Sequence, residues 1–130
     1  PTAEYELPAH PLQQAIRETV ARLSGIDASA IPMGVDGCAV PTFFLPVQSI
    51  ALMFAKLVDP DSLSEQDAMA ARRVCQAMQE HPRLVSWRGH LTCKLGQHLG
   101  TRLVSKGGAE GVFGIGLPEH ELGIAIKMLD

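Results

Sequence analysis

The texture of this chain changes at Thr101, and that change constrains its fold more than any single motif does. Before it, apolar residues recur mostly at helical spacing. After it come three short runs set apart by glycine and turn residues: Leu103-Val104, residues 111–116 and residues 122–128. Such runs read as strands. Leu117-Pro118-Glu119-His120-Glu121 supplies a turn between the last two, which predicts an antiparallel hairpin. Helices first and sheet last define an α+β class, with helices packed on an antiparallel sheet.

The helical part divides cleanly. In Pro11–Ser24, Leu12, Ile16, Val20 and Leu23 recur with helical period, while Arg17, Glu18 and Arg22 serve the other side. His10-Pro11 gives a start, because proline suits a first helical turn, and Gly25 stands where a left-handed cap belongs. Residues 26–30 read as a loop, and residues 31–40 as a short strand or extended segment ending at the Asp36-Gly37 turn. The stretch between Pro41 and Pro46 is too short for a helix of its own. Residues 46–58 form a second helix, apolar nearly all round and therefore expected to be buried. Ser64 starts a third helix, with Asp67 three residues on as a weaker capping box. Its expected apolar side is Ala68, Ala71, Val74, Cys75 and Met78, and His81-Pro82 closes it. Residues 90–99 give a short helix ended by Gly100. With neither an internal repeat nor a low-complexity tract, residues 1–130 read as one incomplete domain.

Composition excludes several classes. Hydrophobic residues make up 46% and charged residues 19% of the 130, a balance that folds rather than stays disordered. The net charge of −3 comes without a basic block, which argues against nucleic acid. No apolar run approaches the roughly 20 residues of a membrane span, and no signal peptide is evident. Three cysteines with no Cys-x-x-Cys pair suggest free thiols in a reducing compartment, so the cytoplasm is the expected location.

Two segments can carry chemistry. In Gly34-Val35-Asp36-Gly37-Cys38 a glycine separates a carboxylate from a thiol, so a tight turn can aim both into one pocket. The thiolate is a possible nucleophile or metal ligand, the carboxylate a possible holder of an ammonium group. A plain Asp-Gly turn beside a small buried cysteine is the competing reading. In Ser105-Lys106-Gly107-Gly108 a lysine stands at a strand end where bare backbone permits close approach. It resembles the Lys-Thr-Gly strand motif of serine β-lactamases, in which a lysine can activate a serine. A solvated lysine in a hairpin turn competes with it. Cys93 is close enough in sequence to share a site with Lys106, or it is a core residue of an amphipathic helix. Cys75 reads as structural. The five histidines make no metal signature, and the glycines make no phosphate-binding fingerprint.

Taken together, these blocks resemble the bacterial L-asparaginase II family. The likeness rests on Gly34-Val35-Asp36-Gly37-Cys38-x-x-Pro41-Thr42-Phe43, on His10-Pro11-Leu12-Gln13, on Ala77-Met78 with His81-Pro82-x-Leu84-Val85, and on Lys106-Gly107-Gly108-Ala109-Glu110-Gly111-Val112-Phe113-Gly114-Ile115-Gly116. It covers nearly the whole chain. The resemblance implies part of a serine β-lactamase-like fold and hydrolysis of L-asparagine to L-aspartate and ammonia by serine–lysine catalysis. By the same resemblance, Lys106 matches the strand lysine that assists a serine, and Cys38 a ligand of zinc. Asp36 matches an acidic residue of that pocket, and Cys93 a further cysteine beside it, both on the substrate side. The family's Ser-x-x-Lys and Cys-Ser-Gly-Lys-His segments have no match in these residues. Where the family usually has a glycine-rich stretch with arginine, this chain reads Ser86-Trp87-Arg88-Gly89-His90.

The expectation is therefore the C-terminal part of an amidohydrolase, inactive alone and lacking the nucleophile, with both chain ends reading as cut. Its expected partners are L-asparagine and either a second copy or the missing N-terminal part, with no nucleic acid and no membrane. A different class stays open: a non-catalytic binding or structural module that keeps part of the fold.

Overall fold

The computed structural model describes residues 4–129, so Pro1 and Asp130, on which the reading of cut ends depends, lie outside the described residues. The architecture is α+β, helices with small antiparallel sheets. The chain forms two compact units, Pro1–Ser49 and Ile50–Asp130.

The first unit begins with α1, Pro11–Ser24. The His10 side chain caps it by accepting the Leu12 N–H at 3.1 Å, and Gly25 ends it at φ 74°. Its two buried residues, Gln13 and Ser24, are both polar, while Leu12 and Ile16 of the expected apolar face are exposed; the Gln13 amide donates to the Tyr5 carbonyl at 2.8 Å. Arg17 donates to the carbonyl of Ile31, a residue only 2% exposed, and so ties the helix to the segment that follows. Between them the Asp27 carboxylate caps a short 3-10 turn over Ala28–Ala30. Its bonds to the Ser29 hydroxyl and N–H hold its pKa below the usual carboxylate value. Strands β1 (Met33–Val35) and β2 (Pro41–Phe43) then pair antiparallel, with Val35 opposite Pro41.

Helix α2, Val47–Val58, leads into the second unit. Helix α3 is Glu65–Glu80, and the Ser64 hydroxyl accepts the Asp67 N–H at 3.2 Å as its cap. A one-turn helix, α4 (Pro82–Val85), follows where sequence suggested only a stop. Proline explains this, since it ends one helix and suits the first turn of the next. Helix α5, Leu91–Leu99, is capped by the His90 side chain and ends at Gly100. Strands β3 (Val104–Gly107), β4 (Val112–Leu117) and β5 (Leu122–Lys127) form an antiparallel sheet in that order.

A glycine stripe decides how α2 meets this sheet. Gly114 and Gly116 of β4 and Gly123 of β5 lie on one face, since side chains alternate along a strand and Gly116 pairs with Gly123. A methyl group at Gly114 would overlap the Phe54 ring, and one at Gly123 would overlap the Ala51 carbonyl. At Gly116 it would stand 2.5 Å from a Val58 methyl. The bare strands thus let α2 lie almost on the backbone.

Two expectations are corrected here. None of the residues of α2 is fully buried, although the helix is apolar nearly all round. The sheet covers one side of it, and Leu52 is 41% exposed. In α3, Val74 is half exposed, while Ala68 and Ala71 are buried. Residues 68, 71, 75 and 78 form one stripe at helical spacing, and position 74 falls beside it.

Candidate functional site

The first unit presents Asp36 and Cys38 on the five-residue turn between β1 and β2. The Asp36 N–H donates to the Val40 carbonyl at 3.0 Å, and the Ala39 N–H to the Asp36 carbonyl at 2.9 Å. One Asp36 carboxylate oxygen accepts the Gly37 N–H at 2.6 Å. Ala39 completes the turn at φ 68°, a left-handed conformation uncommon outside glycine. Asp36 and Cys38 are both exposed, and the Cys38 thiol is free. The structure therefore brings the carboxylate and the thiol together on one tip, open to solvent.

The second unit carries Cys93 and Lys106. Cys93, three residues into α5, is completely buried, with Sγ 3.7 Å from the Gln97 side-chain oxygen. Lys106 is exposed near the end of β3, and its ammonium donates to the Gly107 carbonyl at 2.6 Å. Opposite it on β4 stands Gly114, so Lys106 projects from the α2 face of the sheet. Ser105 and Gly107 belong to the other face. There the His90 ring closes over Gly107, where a Cβ would meet His90 Cε1 at 2.9 Å. His90 also accepts the Thr92 N–H through Nδ1 at 3.3 Å and stacks, tilted, on Trp87 at 4.8 Å between ring centroids. One side chain thus joins the start of α5 to the glycine after Lys106.

The loop after Gly107 is closed by backbone. The Gly108 N–H donates to the Val112 carbonyl at 2.8 Å, and Gly111 turns the chain at φ 68° with room for no side chain against Met128. Lys106-Gly107-Gly108 is consequently a strand end with a bare, ordered backbone rather than a lysine in the hairpin turn itself. Sequence reasoning passed over His90, whose only signal was its place one residue before an apolar helix, where a capping acceptor belongs. A surface groove of about 290 Å³ runs along α4, lined by Glu80, His81, Pro82, Arg83, Leu84 and Gln97, and includes none of the four expected residues. Among the described residues no group of three or more histidine, cysteine or acidic side chains gathers to hold a metal.

The fold is α+β, and the Lys-Gly-Gly segment stands at the end of β3 in its antiparallel sheet. The family model for L-asparaginase II matches residues 1–130. The chain belongs to the L-asparaginase II family, which makes it, at family level, one of the asparaginase-type hydrolases. No curated protein matches it. Among the described residues no helix is long and apolar enough to cross a membrane.

Proposed function

We propose that this chain serves an amide hydrolase that converts L-asparagine to L-aspartate and ammonia, with Lys106 as the group that moves the proton. The observation that carries the reading is the family match along the whole chain, with Lys106 at a glycine-bared strand end. A serine supplied from outside these residues attacks the side-chain amide carbon. Lys106 accepts the hydroxyl proton and delivers it to the departing nitrogen as the C–N bond breaks. Water then cleaves the acyl-enzyme ester, which releases aspartate and restores the serine. Backbone N–H groups near the end of β3 are suited to hold the oxyanion. The 130 residues contain no Ser-x-x-Lys, so the chain alone is proposed to be inactive.

The remaining roles follow from resemblance and residue chemistry. Asp36 offers an exposed carboxylate suited to the substrate ammonium group. Cys93 belongs to the substrate side by resemblance, but it lies beneath the surface and reaches a ligand only if α5 moves. For zinc, Cys38 and Asp36 give at most two ligands on their turn, short of the three protein ligands that catalytic zinc sites use. Cys38 is thus proposed as one ligand of a set completed elsewhere, and no step of the reaction is routed through the metal.

In the complete enzyme, Lys106→Ala should lower kcat by about 10²–10⁴-fold, the usual range for a lost proton-transfer group. Full asparaginase activity in that variant would remove Lys106 from the mechanism. Binding gives a separate reading: in the complete enzyme, zinc or asparagine should raise the Tm by mass action. Cys38→Ser should abolish the zinc response. A Tm indifferent to both ligands would favour a non-catalytic module instead.

A further inference from the structure

Two buried hydroxyls in the second unit have no protein partner, and they line the same small cavity. Thr92 is the second residue of α5 and Ser105 the second residue of β3. They are 3% and 4% exposed. Thr92 Oγ1 and Ser105 Oγ are each shut off from solvent without a hydrogen bond among the described residues. Buried hydroxyls are seldom left so, because desolvation is not repaid unless a partner is found.

The cavity they share has about 10 Å³ of room for a water-sized sphere, with Met78, Pro82 and Gly96 among its walls. That is the size of a single water, and two hydroxyls are the minimum polar set that retains one. A larger solute has no room. A cation has no charged group to meet it, since both donors are neutral. Gly96 already packs so tightly that a Cβ there would stand 2.7 Å from Pro82, so the walls cannot readily collapse to bring the two hydroxyls together.

We propose that one ordered water occupies this cavity and bridges Thr92 Oγ1 and Ser105 Oγ, pinning the start of α5 to β3 one residue before Lys106. Ser105 lies on the opposite face of the sheet from the Lys106 side chain. The water is therefore a structural tie, and it stands whether or not Lys106 moves a proton.

The test is a crystal structure of the chain at a resolution that places ordered solvent. The expected result is one water within about 2.7–3.2 Å of both oxygens. Hydroxyls bonded to each other or to main-chain carbonyls, with no solvent density between them, would overturn the proposal. Thermal melts give a second reading. Thr92→Val and Ser105→Ala should each lower Tm by about 2–6 °C. The double variant should lose clearly less than the sum, since either change removes the same bridge. Additive losses would also overturn it.

Discussion

At the scale of single residues, exposure and hydrogen bonding sort groups that look alike in sequence. The three cysteines are the clearest case. Cys38 is exposed on a turn, Cys75 is half-buried on α3, and Cys93 is sealed within α5. Burial pushes the Cys75 thiol above its ordinary pKa by disfavouring the thiolate. A thiol-specific reagent at neutral pH should therefore modify Cys38 first, Cys75 slowly, and Cys93 only after unfolding. Equal rates at all three positions would contradict the burial described. The sign of the pH effect also follows. A thiol whose folded pKa is raised keeps its proton in the native state after the unfolded chain has lost it. Its contribution to stability is thus intact below the free-thiol pKa and declines as pH rises above about 8.5. Cys75→Ala should flatten the alkaline fall of Tm and leave the neutral value nearly unchanged.

At the scale of elements, the glycines of the sheet matter more than their number suggests. Gly114, Gly116 and Gly123 make the smooth face that α2 lies on, and an added side chain would meet the Phe54 ring, a Val58 methyl or the Ala51 carbonyl respectively. Gly123→Ala should destabilise the chain by about 1–3 kcal/mol or more, the usual cost of overpacking. Gly37→Ala, at a position with nothing within 4 Å of the added carbon, should cost far less. Denaturant melts compare the two directly. The sequence carried the strands and the glycines openly, but not their purpose: a glycine in a strand reads equally as a bulge, a bend or a close approach. The helix caps were legible in a similar measure. Ser64 and Gly25 announced themselves, since few residues do those jobs. The capping role of His90 stayed hidden because histidine has many competing uses.

At the scale of the whole molecule, β5 is an edge strand that, among the described residues, pairs with β4 alone. It and the residues after it carry exposed Leu122, Ile126 and Met128. An unpaired apolar edge invites another strand. Light scattering should find a dimer or larger species in the micromolar range, and a charged substitution such as Ile126→Lys should reduce it. A monomer at all such concentrations would count against association through this edge.

The α+β class, the approximate limits of the longer helices, the three C-terminal strands and the Lys-Gly-Gly strand end were legible in the sequence alone, whereas the one-turn α4 and the pairing of β1 with β2 were not. The legible features follow from periodicity, capping and backbone chemistry that act within a few residues, and the family could be read from the same blocks. Tertiary structure alone decided the rest: α2 half covered rather than buried, Cys93 sealed while Cys38 is open, and the Lys106 face of the sheet being the one that meets α2. These depend on which surface meets which. A pattern local in the chain gives a residue its face, and only packing between distant segments determines what that face will touch.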